Sequence, residues 1–415
     1  MKKILATLLV LVTAISLCAC GNKDNDKDKI TLTMWCIATK SDSNRASYEA
    51  AIKDMEKNYP NIKLDWSATE NEAYKTKIKT AVSGNSMPDI FFTWSCAFLG
   101  DFVKADKVYC LDNAYKKFAN DLDEKMCKNT TYDGKKYGVP LTMNIVDLFA
   151  NMDILKEVGY NDVPGTYDEL IACCDKLVAA GKIPFGCAGK ETWCVTEYLE
   201  SIIEKSCGAK TLDDIFVNGA TWDNADVAKA VNIFQDMIAK KYFDPNGVAL
   251  SNDEIKGNFI AGQYAFYMNG TWNCADFAKA GINVKVAEFP VIDSSKSKLG
   301  QLIGGPSDTL AVAKSSKNAE KAAEYTFELG KLICKYGYLD GCGLPAWKVD
   351  YDESKVNALT QSVAKIVAAS DYMVLFGDTA MPSDEAQKYL EFVAKVYTSE
   401  VNGKQFTDGL KAAIR

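Results

Sequence analysis

"ITLTMWCIATKSDSNRASYEAAIKDMEKNYPNIKLDWSA", Ile30 to Ala68, is the stretch on which the fold turns. Its first eight residues alternate and are rich in β-formers, which predicts a strand; ASYEAAIKDMEKNYP follows with helical spacing and a Pro stop. IKLDWSA predicts a second strand. Beyond it, EAYKTKIKTAVSG predicts a second helix ending in Gly84, and DIFFTW a third strand. Strand, helix, strand, helix, strand is the start of an open α/β sheet. Four later stretches, TYDELIACCDKLVAAG, NADVAKAVNIFQDMIAKK, NAEKAAEYTFELGKLI and DEAQKYLEFVAKVYTSEV, predict amphipathic helices, with Asn318 and Ser383 where N-caps are expected.

The chain has 415 residues, and at roughly 150 residues per domain this predicts two or three domains. Apolar and charged fractions of 48% and 25% are ordinary for a globular protein. The opening MKKILATLLVLVTAISLCAC has two lysines and an apolar run from Ile4 to Leu17, too short for a membrane span of roughly 20 residues. It reads as a signal peptide over 1–19. Its end, LCAC, resembles the lipobox of a bacterial lipoprotein, which implies cleavage before Cys20 and lipid on its thiol. The tether at 20–29 has no apolar residue after Cys20 and reads as a solvated spacer.

Removing the leader takes two of the 48 basic residues and none of the 55 acidic ones, so 46 face 55 and the mature net charge is −9. That balance argues against nucleic acid as a partner. Only Arg45 and Arg415 supply guanidinium groups, so the bidentate fork that suits phosphates and carboxylates is nearly missing; a neutral ligand fits better. Histidine is absent, which removes Ser-His-Asp and Cys-His catalysis and the usual zinc ligand sets. No metal or cofactor is expected. The fourteen cysteines include no C-x-x-C pair. Several fall inside predicted helices or strands, such as Cys173 and Cys174, so mostly free, buried thiols are expected despite the export signal.

Six blocks carry a resemblance over nearly the whole mature chain: KNYPNIKLDW, EAYKTKIKTAVSGNSMPDIFFTW, YDGKKYGVPLTMNIVDLFANMDILKEVGY, TYDELIACCDKLVAAGKIPFG, GNFIAGQYAFYMNGTWNCADF and GGPSDTLAVAKSSKNAEKAAEYTFEL. In this order they resemble the extracellular solute-binding proteins of ABC importers, in the carbohydrate-binding group related to maltose-binding proteins. The resemblance implies a two-lobed α/β fold of the periplasmic-binding-protein type II class, with a hinge and an interlobe cleft. It also implies a monomer anchored through Cys20 at the outer face of the cell membrane, with an oligosaccharide as ligand and ABC permease subunits as partners. By the same resemblance the lobes are 30–139 plus 305–342 and 140–304 plus 343–415. Gly304, Gly305, Gly341 and Gly343 at the crossings are what a hinge needs, although ordinary turns use glycine too.

Within MNGTWNCADF, Met268 to Phe277, a tryptophan follows Asn-Gly-Thr directly after FIAGQYAFY, which reads as a strand. A sugar site needs an aromatic plane beneath the C–H face of a pyranose and short polar side chains around its edge. Trp272 supplies the plane and an N–H donor, and Asn269 and Asn273 flank it; the alternative is a core tryptophan capping the strand. Trp94 ends a predicted strand, where open sheets place ligands. Trp193, with Glu191 beside it, lies where similar proteins carry a stacking aromatic; core packing is the alternative for both tryptophans. Trp66, Trp222 and Trp347 read as structural and Trp35 as either. Polar candidates are Asp42, Ser43, Glu70, Asn144, Asp147, Asp308 and Asp378, each equally readable as a solvated loop residue or helix cap. Other function classes left open are a surface glycoside hydrolase, which would use two carboxylates across a sugar, a ferric-ion binder, which would need a tyrosine pair, and an adhesive lipoprotein.

Overall fold

The computed structural model describes residues 29–414. The expected signal peptide, Cys20 and the expected tether up to residue 28 therefore lie outside the described residues.

The first lobe is built on a five-stranded sheet in the order Ile62–Ala68, Ile30–Cys36, Ile90–Trp94, Asp308–Val312, Val139–Pro140. The opening strand pairs parallel with Ile62–Ala68 and with Ile90–Trp94, joined by helices Arg45–Asn58 and Asn71–Gly84. Alternation puts Leu32, Met34 and Cys36 inside. Ile90–Trp94 is buried at all five positions because it runs mid-sheet with cover on both faces. Glu70 starts the second helix: its carboxylate accepts the Glu72 N–H at 3.1 Å and the Ala73 N–H at 3.2 Å.

The second lobe centres on the strand Thr142–Asn151, buried at all ten positions. Gln301–Gly305 and Tyr264–Gly270 flank it antiparallel, with Tyr372–Val374 and Ile183–Gly186 outside them. Helix Thr192–Cys207 packs against this sheet and is itself covered by Ala225–Ala239 and Ser383–Tyr397. Consequently every residue from Cys194 to Ser206 is buried. No helix among the described residues is long and apolar enough to cross a membrane.

The chain passes between the sheets three times. Val139–Pro140 pairs in the first sheet and Thr142 begins the second; Gly305 still pairs with Asn144, and Asp308 is back in the first. At Gly304 only glycine serves, since φ is +135° and a Cβ would stand 2.3 Å from the Asn144 carbonyl oxygen. The third passage is longer than the expected step at 342/343. Leu344–Pro345 pairs with Met143 and Thr142, yet Ala346 and Trp347 return to the first lobe's core, where the Trp347 indole donates to the Pro140 carbonyl at 2.9 Å.

Several local expectations are corrected. FIAGQYAFY is not one strand: Phe259 and Ile260 end the helix Asn252–Ile260, the chain turns at Gly262 with φ +76°, and the strand starts at Tyr264. That strand then runs through Asn269 and Gly270, so the supposed polar turn is its last part. Ser383 is the first helical residue and Pro382 the N-cap, while Asn318 caps its helix by position without a side-chain bond. Trp222 is fully buried, stacked on Tyr389 at 5.4 Å. Trp66 lies beneath the Arg45 guanidinium at 4.4 Å and Trp35 beneath the Lys77 ammonium at 4.1 Å. All twelve described cysteines are free.

Candidate functional site

Between the lobes lies a cavity of about 420 Å³, within the range of small-molecule sites. Its aromatic wall comes from the second lobe. Trp272 sits on the short 3-10 turn Thr271–Asn273 that ends the strand Tyr264–Gly270, and its indole folds back over Gly270. A Cβ at Gly270 would stand 2.1 Å from two indole carbons, which explains the Gly two positions before the tryptophan. Trp193, in the first turn of helix Thr192–Cys207, meets Trp272 edge to face at 6.0 Å, and Phe376 adds a tilted ring 6.4 Å from Trp272. Both tryptophans are partly exposed. From the first lobe, Trp94 reaches the cavity but is 7% exposed and packs edge-on against Phe92 and Phe98, both at 5.0 Å.

The polar lining contains buried atoms that the protein leaves without hydrogen-bond partners: Asn71 Oδ1, Trp193 Nε1, both carboxyl oxygens of Glu197, Asn273 Oδ1 and Ser307 Oγ. An unmet buried polar atom costs about 1–3 kcal/mol. Their concentration on the walls of one cavity marks a surface built to bond something polar.

Seven acids and three lysines line the cavity. Lys75 pairs with Asp378 at 3.3 Å and with Glu72 at 2.9 Å, and Lys256 with Asp276 at 2.8 Å, so these two lysines add little free positive charge. Burial works against the charge of Lys75, but Asp378 and Glu72 outweigh it and its pKa is raised. Burial pushes the Asp42 carboxyl up to about 6, with the Asn44 N–H and Lys256 opposing. Asp308, which makes no side-chain hydrogen bond, is pushed up to about 7 by burial and by Asp42. Glu197 is raised well above the carboxylate range by burial, then by Glu200 and Asp378. The walls are acidic, and burial pushes several of their carboxyls towards the neutral form, a setting for uncharged or basic ligands. Contacts across the lobes include Lys75 with Asp378, the Ser43 hydroxyl donating to Asp276 at 2.7 Å, and the Ser383 N–H donating to Asp101 at 3.2 Å.

Ten of the twelve candidate residues line this one cavity: Trp272, Trp94, Trp193, Glu191, Asp42, Ser43, Glu70, Asn144, Asp308 and Asp378. Several already hold protein partners. Glu70 caps its helix, Glu191 accepts the Asn252 N–H at 2.8 Å, and Asn144 accepts the Thr271 hydroxyl at 3.0 Å. Asn269 and Asp147 do not reach the cavity. Asn269 is fully buried and props the turn, accepting the Gly270 N–H and the Asn273 amide, both at 2.9 Å. Asp147 is a strand residue of the same parity as Ile145 and Phe149, so it faces the core behind the sheet rather than a loop. Its carboxyl is fully buried, without hydrogen-bond partners, and raised well above the usual range by burial and by Glu288.

Sequence reasoning passed over Asn71, Lys75, Glu197, Ser307 and Phe376, all on the cavity wall. Asn71, Ser307 and Phe376 lie within two residues of a chosen position. Glu197 had a usable signal: four residues past Trp193, it shares that side chain's helix face.

The family model described as bacterial extracellular solute-binding protein matches residues 39–326. Among curated relatives, the multiple sugar-binding protein of Streptococcus mutans is 22% identical over 376 residues, 88% of this chain and 86% of the relative. A solved structure from work on xylan utilization by the thermophilic bacterium Caldanaerobius polysaccharolyticus superposes with a TM-score of 0.89 at 30% identity, covering 93% of this chain and all of that one. A chitin oligosaccharide binding protein superposes with a TM-score of 0.84 at 20% identity, over 93% and 98% of the two chains.

Proposed function

From the premise that this chain belongs to the bacterial extracellular solute-binding proteins, we propose that it captures an uncharged oligosaccharide between its lobes and delivers it to an ABC permease. The observation that carries this reading is the pairing of Trp272 and Trp193 on a wall whose polar atoms lack partners. A pyranose offers apolar faces to the indoles and edge hydroxyls to Asn71, Asn273 and Ser307, and it carries no charge to clash with the acidic lining. The similarity to the protein from the xylan-utilization study puts xylo-oligosaccharides first in any panel, followed by chito-, malto- and galacto-oligosaccharides.

The mechanism is a binding cycle without bond making or breaking; the family consists of solute receptors rather than enzymes. Sugar that touches both walls favours the closed state only by its differential affinity for it. The glycine-bearing crossings at 304–305 and 341–343 absorb the dihedral change, and the Lys75–Asp378 and Ser43–Asp276 contacts form on closure. The finer placement, a tether by lipid on Cys20 at the outer face of the membrane, rests on the LCAC motif and the polar segment behind it, and the monomeric state rests on the family resemblance alone. Tryptophan fluorescence tests the sugar reading: titration with the bound sugar shifts Trp emission in the native protein and shifts it far less in Trp272→Ala. Emission unmoved by every sugar in the panel would count against it.

A further inference from the structure

Helix Thr192–Cys207 turns Trp193, Thr196 and Glu197 towards the cavity, as their i, i+3, i+4 spacing requires. Glu197 is 1% exposed, and neither carboxyl oxygen has a hydrogen-bond partner. The Gly270 N–H, near enough to favour the ionised form slightly, is already bonded to Asn269 Oδ1 at 2.9 Å. One turn on, Glu200 is served differently: it accepts the Tyr389 hydroxyl at 3.0 Å and the Gly377 N–H at 3.2 Å. Two buried acids on one helix face thus differ in kind. Glu200 is tied into the protein through Oε1, its unmet Oε2 lying away from the cavity, whereas Glu197 borders the cavity with both oxygens unmet.

An ionised carboxylate cannot be held in that position without a counter-charge. Burial and the neighbouring acids Glu200 and Asp378 accordingly drive it to the neutral form. A neutral carboxyl group carries one O–H donor and an acceptor oxygen, the same pair that a sugar hydroxyl carries. One turn back, the Trp193 indole N–H is a buried donor without a partner.

We propose that Glu197 is a ligand-contacting, specificity-determining residue of the cleft, whose carboxyl group gives one hydrogen bond to a sugar hydroxyl and accepts another. The proposal rests on the sugar-binding reading and deepens it, adding a group that loop and motif analysis did not select. It separates from a structural role by the sign of a stability change. A carboxyl that holds the fold together costs stability when removed; one left unmet for a ligand costs none, because an apolar side chain of similar volume relieves the buried polar group.

The experiment uses Glu197→Leu and Glu197→Gln in the purified protein, with the tightest-binding sugar of a xylo-, chito-, malto- and galacto-oligosaccharide panel as probe. Calorimetry is expected to show binding weakened about 10- to 100-fold in Glu197→Leu, while the melting temperature of the sugar-free protein holds or rises. Glu197→Gln, whose amide can still give and accept, is expected to stay within about fivefold of the native affinity. As a second measurement, independent of the leucine variant folding, the infrared difference spectrum on sugar addition should show a shifted protonated-carboxyl C=O band that Glu197→Gln lacks. Native affinity in Glu197→Leu, parallel loss of stability and affinity in both variants, or an infrared difference unchanged by Glu197→Gln would each overturn the proposal while leaving the sugar reading intact. A native protein that binds no sugar of the panel would overturn both.

Discussion

Replacing Trp272 by alanine removes the side chain on which the proposed site depends most. The indole is partly exposed in the cleft and rests on the protein through Gly270, over which it folds, and through the rings of Trp193 and Phe376, whose centroids lie 6.0 and 6.4 Å away. Losing these edge contacts should cost the fold only about 1 kcal/mol, so the variant should stay folded. A pyranose stacked on one indole face removes on the order of 100 Å² of apolar surface from water across the two partners, worth about 2–3 kcal/mol at ~25 cal/mol/Å². That corresponds to roughly 30- to 150-fold weaker binding, the range of aromatic anchors in other interfaces. Calorimetric titration of native and variant protein with the same sugar measures it, and the variant's melting curve checks the fold. Affinity within twofold of native, in a folded variant, would refute the stacking argument.

Further expectations follow from the same geometry. Gly270→Ala puts a Cβ 2.1 Å from the indole and must displace it, so it should weaken sugar binding about as much as Trp272→Ala with little change in melting temperature; native affinity in that variant would show the ring is not held there. Lys75→Met cuts the 3.3 Å tie to Asp378 across the rim and should leave the sugar-free protein more open, seen as a larger radius of gyration in X-ray scattering, and weaken binding about fivefold. Because burial, foremost, raises Asp42 to about 6 and both Asp308 and Glu204 to about 7, from ordinary values of 3.8, 3.8 and 4.5, the folded state holds more protons than the unfolded one across that interval. Their stabilising effect is fully present below about pH 4 and is lost as pH rises through 6 to 7. The melting temperature of the sugar-free protein should therefore be higher at pH 5 than at pH 7.5, and Asp308→Asn should flatten the slope; a rise in stability with pH over that interval would contradict the burial argument.

The opening strand, helix, strand, helix, strand was legible because Ile30–Cys36 alternates cleanly and its helices carry clear stops, Pro60 beyond the first and Asn85 in the left-handed region after the second. The aromatic wall was legible through Trp272 and Trp193. What stayed hidden has a common physical cause, burial on both sides. Thr142–Asn151 is inside at every position, so no alternation separates Asn144, which faces the cleft, from Asp147, which faces the core. Glu197, Glu200 and Glu204 recur at helical spacing and look like a solvated stripe. Helix Thr192–Cys207 is covered all round, so that stripe lies inside the protein, part of it against the cavity. The third passage was placed around Gly341 to Trp347, but its exact lobe step was not legible, because Trp347 returns to the first lobe through a long-range bond to Pro140 that local pattern cannot reveal.

The central claim is that an uncharged oligosaccharide is the ligand, and a thermal-shift screen against xylo-, chito-, malto- and galacto-oligosaccharides tests it most directly. A ligand bound only by the folded state adds about 2.7 kcal/mol at a hundredfold excess over its dissociation constant. The account predicts a selective rise in melting temperature for one of these neutral sugar classes and none for uronate or phosphate sugars. Folded protein, free of carried-over ligand, that gives no shift with any neutral sugar, or shifts only with an anionic one, would contradict it.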